Sequence, residues 1–241
     1  MSTGVEQQNL QKLLETARGI GVDLLSSARV DEGLREGFHR SIKEISRDLG
    51  NAVVMGIRLS APVLETVVTA PTWTYYYHYR MVNMALDQAA LHIAGMCRRT
   101  GYDAMPIPAS QILDWDRLGA HLSHRELGAR AGLGWWGRNN LLVNEDYGAQ
   151  VRYASVLTDM PLPERGTQTG RQDCGDCTRC IEICPVGAIQ EDRSGFRLDR
   201  CAAQLRRFAK SEKLNTLICG LCIKVCTGWT DQNSTAGVAR S

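Results

Sequence analysis

Several features are missing from this 241-residue sequence, and each absence closes off a class of protein. Charge of one sign is not in excess. The 28 basic and 26 acidic residues leave a formal net charge of +2, too weak a field to draw the chain onto nucleic acid or a membrane surface. No uninterrupted apolar run is long enough to cross a bilayer. The opening stretch MSTGVEQQNLQKLLETARGIGVDLL lacks the basic segment and apolar stretch of an export signal, and it carries no twin arginine. No solenoid-type period recurs. Apolar residues are not scarce, at 44%, which excludes global disorder. The expectation is a soluble, cytoplasmic protein made of one domain of ordinary size and a smaller appendage.

Cysteine is present in quantity and is unevenly placed: of the 9 in the chain, all but Cys97 fall after residue 173. In a reducing compartment such crowding points to metal ligation rather than disulfides. The run DCGDCTRCIEICPVGA (173–188) has thiols at gaps of two, two and three, followed by proline, and CGLCIKVCTGW (219–229) repeats the pattern in shortened form. In C-x2-C-x2-C each two-residue gap lets the backbone turn around a cubane and aim its amides at the sulfides, while the C-x3-C-P step sends the fourth cysteine to another cluster. By that logic Cys174, Cys177 and Cys180 grip a first cluster, which Cys226 returns to complete. Cys184, Cys201, Cys219 and Cys222 hold a second. The alternative is structural zinc. Zinc sites usually show paired knuckles, however, and three closely spaced thiols crowd one tetrahedral ion, so the spacing favours two [4Fe-4S] clusters. Cys97 stands apart and is expected to be a buried, inert thiol.

The sequence changes character near residue 165, where PLPERGTQTGRQD (161–173) supplies breakers. This places a cofactor-binding α+β domain at 1–165 and a cluster-binding domain at 166–241. Helical spacing runs over 5–17 and 34–48, a buried strand over 51–57, and a long helix over 76–99 with Val82, Leu86, Ala89, Ile93 and Met96 as its apolar stripe. The stop at Gly101 precedes a further strand. Ser123 and Glu126 form a capping box for a helix that ends at Gly132 or Gly134, and AQVRYASVLTDM alternates as a last strand.

In 132–140 the glycines mark tight backbone, and Trp135, Trp136, Arg138, Asn139 and Asn140 offer apolar faces and donors. Such a turn can cradle a planar or anionic cofactor, or it can simply end a helix and lead into a strand. Arg138 beside glycines suits a carboxamide or phosphate. In TWTYYYHYR (72–80), Tyr76 and His78 are candidate proton donors, with aromatic packing at a helix start as the other reading. His124 reads as part of the first turn of its helix.

The succession ELGARAGLGWWGRNNLLVNEDYG, VLTDMPLP and then the double cysteine motif resembles the epoxyqueuosine reductase family. It is similar also to the catalytic core of corrinoid-dependent reductive dehalogenases. The resemblance implies a nitroreductase-like α+β core binding a base-off cobalamin, followed by a bacterial ferredoxin-like 2[4Fe-4S] domain that delivers electrons to cobalt. Gly134, Trp136, Arg138, Asn139, Asn140 and Tyr147 are then candidate cofactor contacts, with a flavin as the alternative occupant. Asp114 or Asp116 falls in the region of the family's proton-donating aspartate, and Thr227 stands where the family carries proline.

The chain stops soon after Trp229, without a counterpart of the helical-repeat domain with which those enzymes grip transfer RNA, so nucleic acid is not an expected partner. A ferredoxin or flavodoxin is expected as electron donor, a small molecule or a corrinoid protein as acceptor, and a second copy as a means of completing an open pocket. The leading expectation is a reductase passing electrons through two clusters to a corrinoid. The rival is an electron carrier that reduces a partner's cofactor and has no substrate of its own.

Overall fold

A computed structural model describes residues 4–115, 118–164 and 173–228, which fall into two compact units. The first comprises residues up to Ile57, Val82–Leu133 and the stretch from Arg152; the second comprises Arg58–Met81, Gly134–Val151 and the stretch beyond Gly170. The expected boundary at 165/166 lies outside the described residues. The unit that carries the cysteine runs also takes in two segments from well before it.

The first unit is built on a four-stranded sheet of order β1-β2-β6-β3, with β1 at Leu24–Arg29, β2 at Asn51–Arg58, β3 at Ala104–Ile107 and β6 at Val151–Thr158. β1 runs antiparallel to β2, and β3 antiparallel to β6. Its helices are α1 (Gly4–Gly19), the short α2 (Glu32–Glu36) and α3 (Arg40–Lys43), most of α5 (Trp73–Arg99), and α6 (His124–Arg130). All five predicted stripe residues of α5 are buried. The helix ends where expected: Gly101 takes φ 89°, and Tyr102 N–H folds back to the carbonyl of Cys97 at 3.0 Å. Ser123 Oγ accepts from Glu126 N–H at 3.2 Å, but Glu126 turns its carboxylate to Arg130 instead of closing the capping box.

Two expectations change. The single helix over 34–48 is broken into α2 and α3, because Asp31 and His39 each accept a backbone N–H at a helix start, and Gly37 closes the turn between them. β1 was not visible in the sequence. Its centre, Ser26–Ser27, interrupts the apolar pattern, yet both hydroxyls are buried and satisfied, donating to the carbonyls of Ala131 and Pro163 at 2.7 Å each.

The second unit contains α4 (Ala61–Glu65), the first turns of α5, the two-stranded ribbon β4–β5 (Trp135–Trp136 with Leu142–Val143), α7 (Arg179–Glu182), α8 (Leu198–Ser211) and α9 (Leu221–Lys224). The start of α5 is set by Thr72, whose hydroxyl accepts Tyr75 N–H at 3.1 Å. Here backbone interlocking adds to an apolar core that includes Leu64, Tyr75, Leu142, Phe208 and Leu221. Ala149 N–H donates to the carbonyl of Cys226 at 3.1 Å, and a Cβ on Gly148, at φ 59°, would stand 2.1 Å from that same oxygen. Only glycine lets the 144–148 turn pass so close to the cysteine segment.

Candidate metal centre

Cys174 and Cys177 lie in the loop leading to α7, Cys180 is on α7, and Cys226 follows α9. All four line one small, partly open cavity. Cys174 and Cys226 also pack against the apolar group Trp135, Val143 and Ala149. Burial, and then the facing Cys174 and Cys177, push the Cys180 thiol up to about 11. Burial, with Cys174, Cys180 and Cys177 as neighbours, pushes Cys226 up to about 12. Cys177 differs. Burial works against its thiolate, yet hydrogen bonds from Arg179, whose charge lies alongside, hold it below the ordinary thiol range.

The remaining four thiols form a second group. Burial pushes Cys219 up to about 11, with Cys201 and Cys184 adding to the effect. Burial also raises Cys201, with Cys184 beside it. Cys222 is driven well above the usual range by burial and then by Cys219 and Cys201. Ala188 N–H donates to Cys184 Sγ at 3.3 Å. The first four thiols thus share one cavity, and Cys184, Cys201, Cys219 and Cys222 neighbour one another. Cys222 also feels Cys180 and Cys226, so the groups are electrostatic neighbours.

Thiols that raise one another's pKa need a cation before they can all be thiolates, and that is the condition under which metal binding and folding are coupled. Among the described residues no three His, Cys, Asp or Glu side chains are grouped closely enough to hold one metal ion. A cubane instead presents four separate irons to four thiolates.

The residues expected to meet a cofactor in the front region are placed differently. Arg138, expected to meet a carboxamide or phosphate, donates Nε to the carbonyl of Glu191 at 2.7 Å, Nη1 to that of Cys177 at 2.8 Å and Nη2 to that of Gly175 at 2.7 Å. Its fork is committed to the cysteine loop. Gly134 leaves no room for a side chain, since a Cβ would lie 2.1 Å from the carbonyl of Val143 across the ribbon. Trp136 lies under the Arg193 guanidinium, 4.0 Å from the ring centre, and Tyr147 under that of Arg58 at 5.0 Å. Asn140 takes the left-handed turn position, φ 57°, with its N–H on the carbonyl of Gly137. Asn139 lines the thiol cavity, and its Oδ1 accepts Leu141 N–H at 3.2 Å.

The expected proton donors also have partners. Tyr76 is buried, donates its hydroxyl to Asn215 Oδ1 and lies beneath Arg80. His78 Nε2 accepts Ser60 N–H at 2.9 Å, and burial lowers its pKa, so it is a neutral acceptor in the folded chain. Asp114 bridges to Gly119, while Asp116 lies outside the described residues. Cys97 is fully enclosed in the first unit, and burial pushes its thiol up. His124 is partly buried there. Its Nε2–H donates to the carbonyl of Pro108 at 2.8 Å, so Nδ1 accepts from Ser155 Oγ at 2.9 Å, and burial brings its pKa down to about 4.

Arg179 is the participant that sequence reasoning passed over. Its signal was a basic residue inside the CTRC gap, where the side chain must stand beside the thiols on either hand. Its Nη2 also reaches Thr227 Oγ1 at 3.4 Å, in the position where proline was expected.

Residues 173–228 match the 4Fe-4S double cluster binding domain family. In sequence the chain is 36% identical over 115 residues to the epoxyqueuosine reductase of Bacillus anthracis, covering 44% of this chain and 29% of that protein. It is 37% identical over 109 residues to that of Synechocystis sp., covering 40% of this chain and 36% of the relative. The chain therefore spans about a third of the length of the curated relatives it matches.

In fold it is like a catabolic reductive dehalogenase, with a TM-score of 0.70, 21% identity, and coverage of 91% of this chain and 31% of that one; the same likeness holds for a reductive dehalogenase described with a mechanism for B12-dependent dehalogenation. An epoxyqueuosine reductase solved with an epoxyqueuosine-modified tRNA stem loop gives a TM-score of 0.60 at 21% identity, covering 91% of this chain and 65% of that chain. Fold and thiol groups together define the class: a mixed α/β iron–sulfur protein with a double [4Fe-4S] binding domain. Within that class the matched part of the chain is similar in sequence to stretches of the epoxyqueuosine reductases named above.

Proposed function

We propose that the chain is a cytoplasmic oxidoreductase that takes single electrons from a ferredoxin or flavodoxin through two [4Fe-4S] clusters to an acceptor bound by its front region. The two thiol quartets carry this reading. Bound there, the clusters would supply one-electron transfer, and the chain's residues would supply everything around it. Cys174, Cys177, Cys180 and Cys226 would ligate one cluster, and Cys184, Cys201, Cys219 and Cys222 the other. Arg179 keeps Cys177 ready to ligate, Arg138 clamps three carbonyls of the cysteine loop, and the Ala188 N–H steadies the Cys184 sulfur.

A cobalamin is the acceptor suggested by the likeness to B12-dependent dehalogenation, and a nitroreductase-like core is the fold expected to hold it. The six residues singled out for that contact do not form a comparable cradle, because Arg138 and Asn139 face the thiols. Epoxyqueuosine in transfer RNA is the substrate class to try first, following the solved reductase with its modified stem loop, although charge balance alone argued against nucleic acid. The engagement of Arg138 supports a second reading, an electron carrier with no acceptor of its own.

Anaerobic reconstitution tests both readings. Two cubane signals per chain, retained cobalt on titration with cobalamin, and turnover of epoxyqueuosine-bearing tRNA are expected for the reductase. The same iron with neither cobalt nor turnover would replace it with the carrier. Zinc in place of iron would overturn both.

A further inference from the structure

We propose that Asn139, through Nδ2–H, and Trp135, through Nε1–H, donate hydrogen bonds to sulfurs of the cluster held by Cys174, Cys177, Cys180 and Cys226, and thereby raise that cluster's reduction potential relative to the other. The inference rests on the reading that these four thiols hold a cluster.

Both nitrogens are buried donors with no partner among the described residues, in side chains 5% and 7% exposed. A buried amide or indole N–H left unpaired costs about 1–3 kcal/mol, so a folded chain normally provides an acceptor. The orientation of the Asn139 amide is not arbitrary. Leu141 N–H is a donor and so pins Oδ1 at 3.2 Å; turning the amide over would set donor against donor and leave Nδ2 no better placed. Space behind Oδ1 is also closed, because a Cβ on Gly137 would come within 2.7 Å of it.

What Nδ2 faces follows from the cavity that Asn139 lines. The other side chains on that cavity are two guanidinium groups, two valines and four thiols. Apart from Asn139's own carbonyl, sulfur is the only side-chain acceptor in that set. Trp135 lies in the apolar group against which Cys174 and Cys226 pack, and its indole N–H is a buried donor without a partner among the described residues. No equivalent pair of unpartnered N–H donors flanks the second quartet among the described residues. Hydrogen bonds to cluster sulfur stabilise the more negative, reduced state and raise the potential.

The test uses the full chain, anaerobically loaded with iron and sulfide. With side-chain-¹⁵N asparagine, pulsed EPR of the reduced protein is expected to show one ¹⁵N coupling to a cluster, and Asn139→Leu to abolish it. In that variant, with iron content kept, one of the two midpoint potentials is expected to fall by about 59 mV, the equivalent of a tenfold loss in a one-electron equilibrium, while the other stays in place. Trp135→Phe keeps the ring and removes the N–H, and is expected to lower the same potential. Absence of the ¹⁵N coupling in the unmutated protein overturns the Asn139 assignment even if Asn139→Leu fails to load. Unchanged potentials in an iron-replete Asn139→Leu and in Trp135→Phe overturn the tuning role. Failure of the underlying reading looks different: Cys226→Ser would keep all its iron, which would remove the cluster from this cavity regardless of Asn139.

Discussion

In the first unit the interior is hydrocarbon. Leu13, Val54, Leu86, Ile93 and Val156 are almost wholly sealed from solvent around a sheet and a long helix, and the polar groups among them, such as Ser26, Ser27 and His124, have partners within the unit. In the second unit an apolar core lies beside a cavity on which four of the nine lining residues are cysteines, and the segments around it are fastened by backbone contacts, by Arg138 and by glycines too crowded for a Cβ. Apolar burial stabilises by about 25 cal/mol per Å² with no added component, whereas an array of facing thiols is stabilised only once a metal neutralises it. The two units therefore differ in what they need in order to stay folded.

The largest effect expected from that difference comes from taking the metal away. Chelation of the loaded protein should strip hydrogen-exchange protection from 134–151 and 173–228 while amides of 51–57 and 86–97 keep theirs; equal protection in both sets would show that the second unit holds itself together unaided. Next is Leu86→Ala, placed in the first unit's core. It should cost about 2–5 kcal/mol in denaturant melts and leave iron per chain unaltered.

Acid should separate the units again. The folded His124 has its pKa lowered to about 4, against an ordinary value of 6.5, so the unfolded chain binds the extra proton between those pH values. The stability from keeping it neutral is fully present above 6.5 and is lost as pH falls towards 4, amounting to about 3 kcal/mol. His124→Gln should flatten that part of the pH–stability curve. The smallest effect is Gly148→Ala, expected to cost about 1–3 kcal/mol for a left-handed residue crowded against the Cys226 carbonyl, and to weaken iron retention rather than the first unit's melting.

How much of this was legible depended on range. The α5 stripe and β2 could be read because periodicity is a local property, and the thiol groups because gaps of two or three residues dictate how the chain wraps a cluster. β1 was hidden because Ser26 and Ser27 satisfy their hydroxyls on residues more than a hundred positions away, and no local pattern carries that information. Arg138 was visible as important, but its partners in the fold were not. A guanidinium beside glycines looks the same whether it meets a cofactor or the carbonyls of a loop, and its partners lie 37 to 53 residues downstream. The division of the chain was obscured for a similar reason, since 58–81 and 134–151 carry no cysteine and nothing in them announces the unit they join.

Arg138 and Gly148 also bear on transplantation. A fragment cut at Asp173 would contain all eight clustered thiols and would look like a self-sufficient electron-transfer module. It would leave behind the guanidinium that gathers the carbonyls of Gly175, Cys177 and Glu191, and the amide of Ala149 that receives Cys226. Anyone grafting this cluster binder onto another scaffold would need to carry residues 134–151 with it, as a second strand of the same graft.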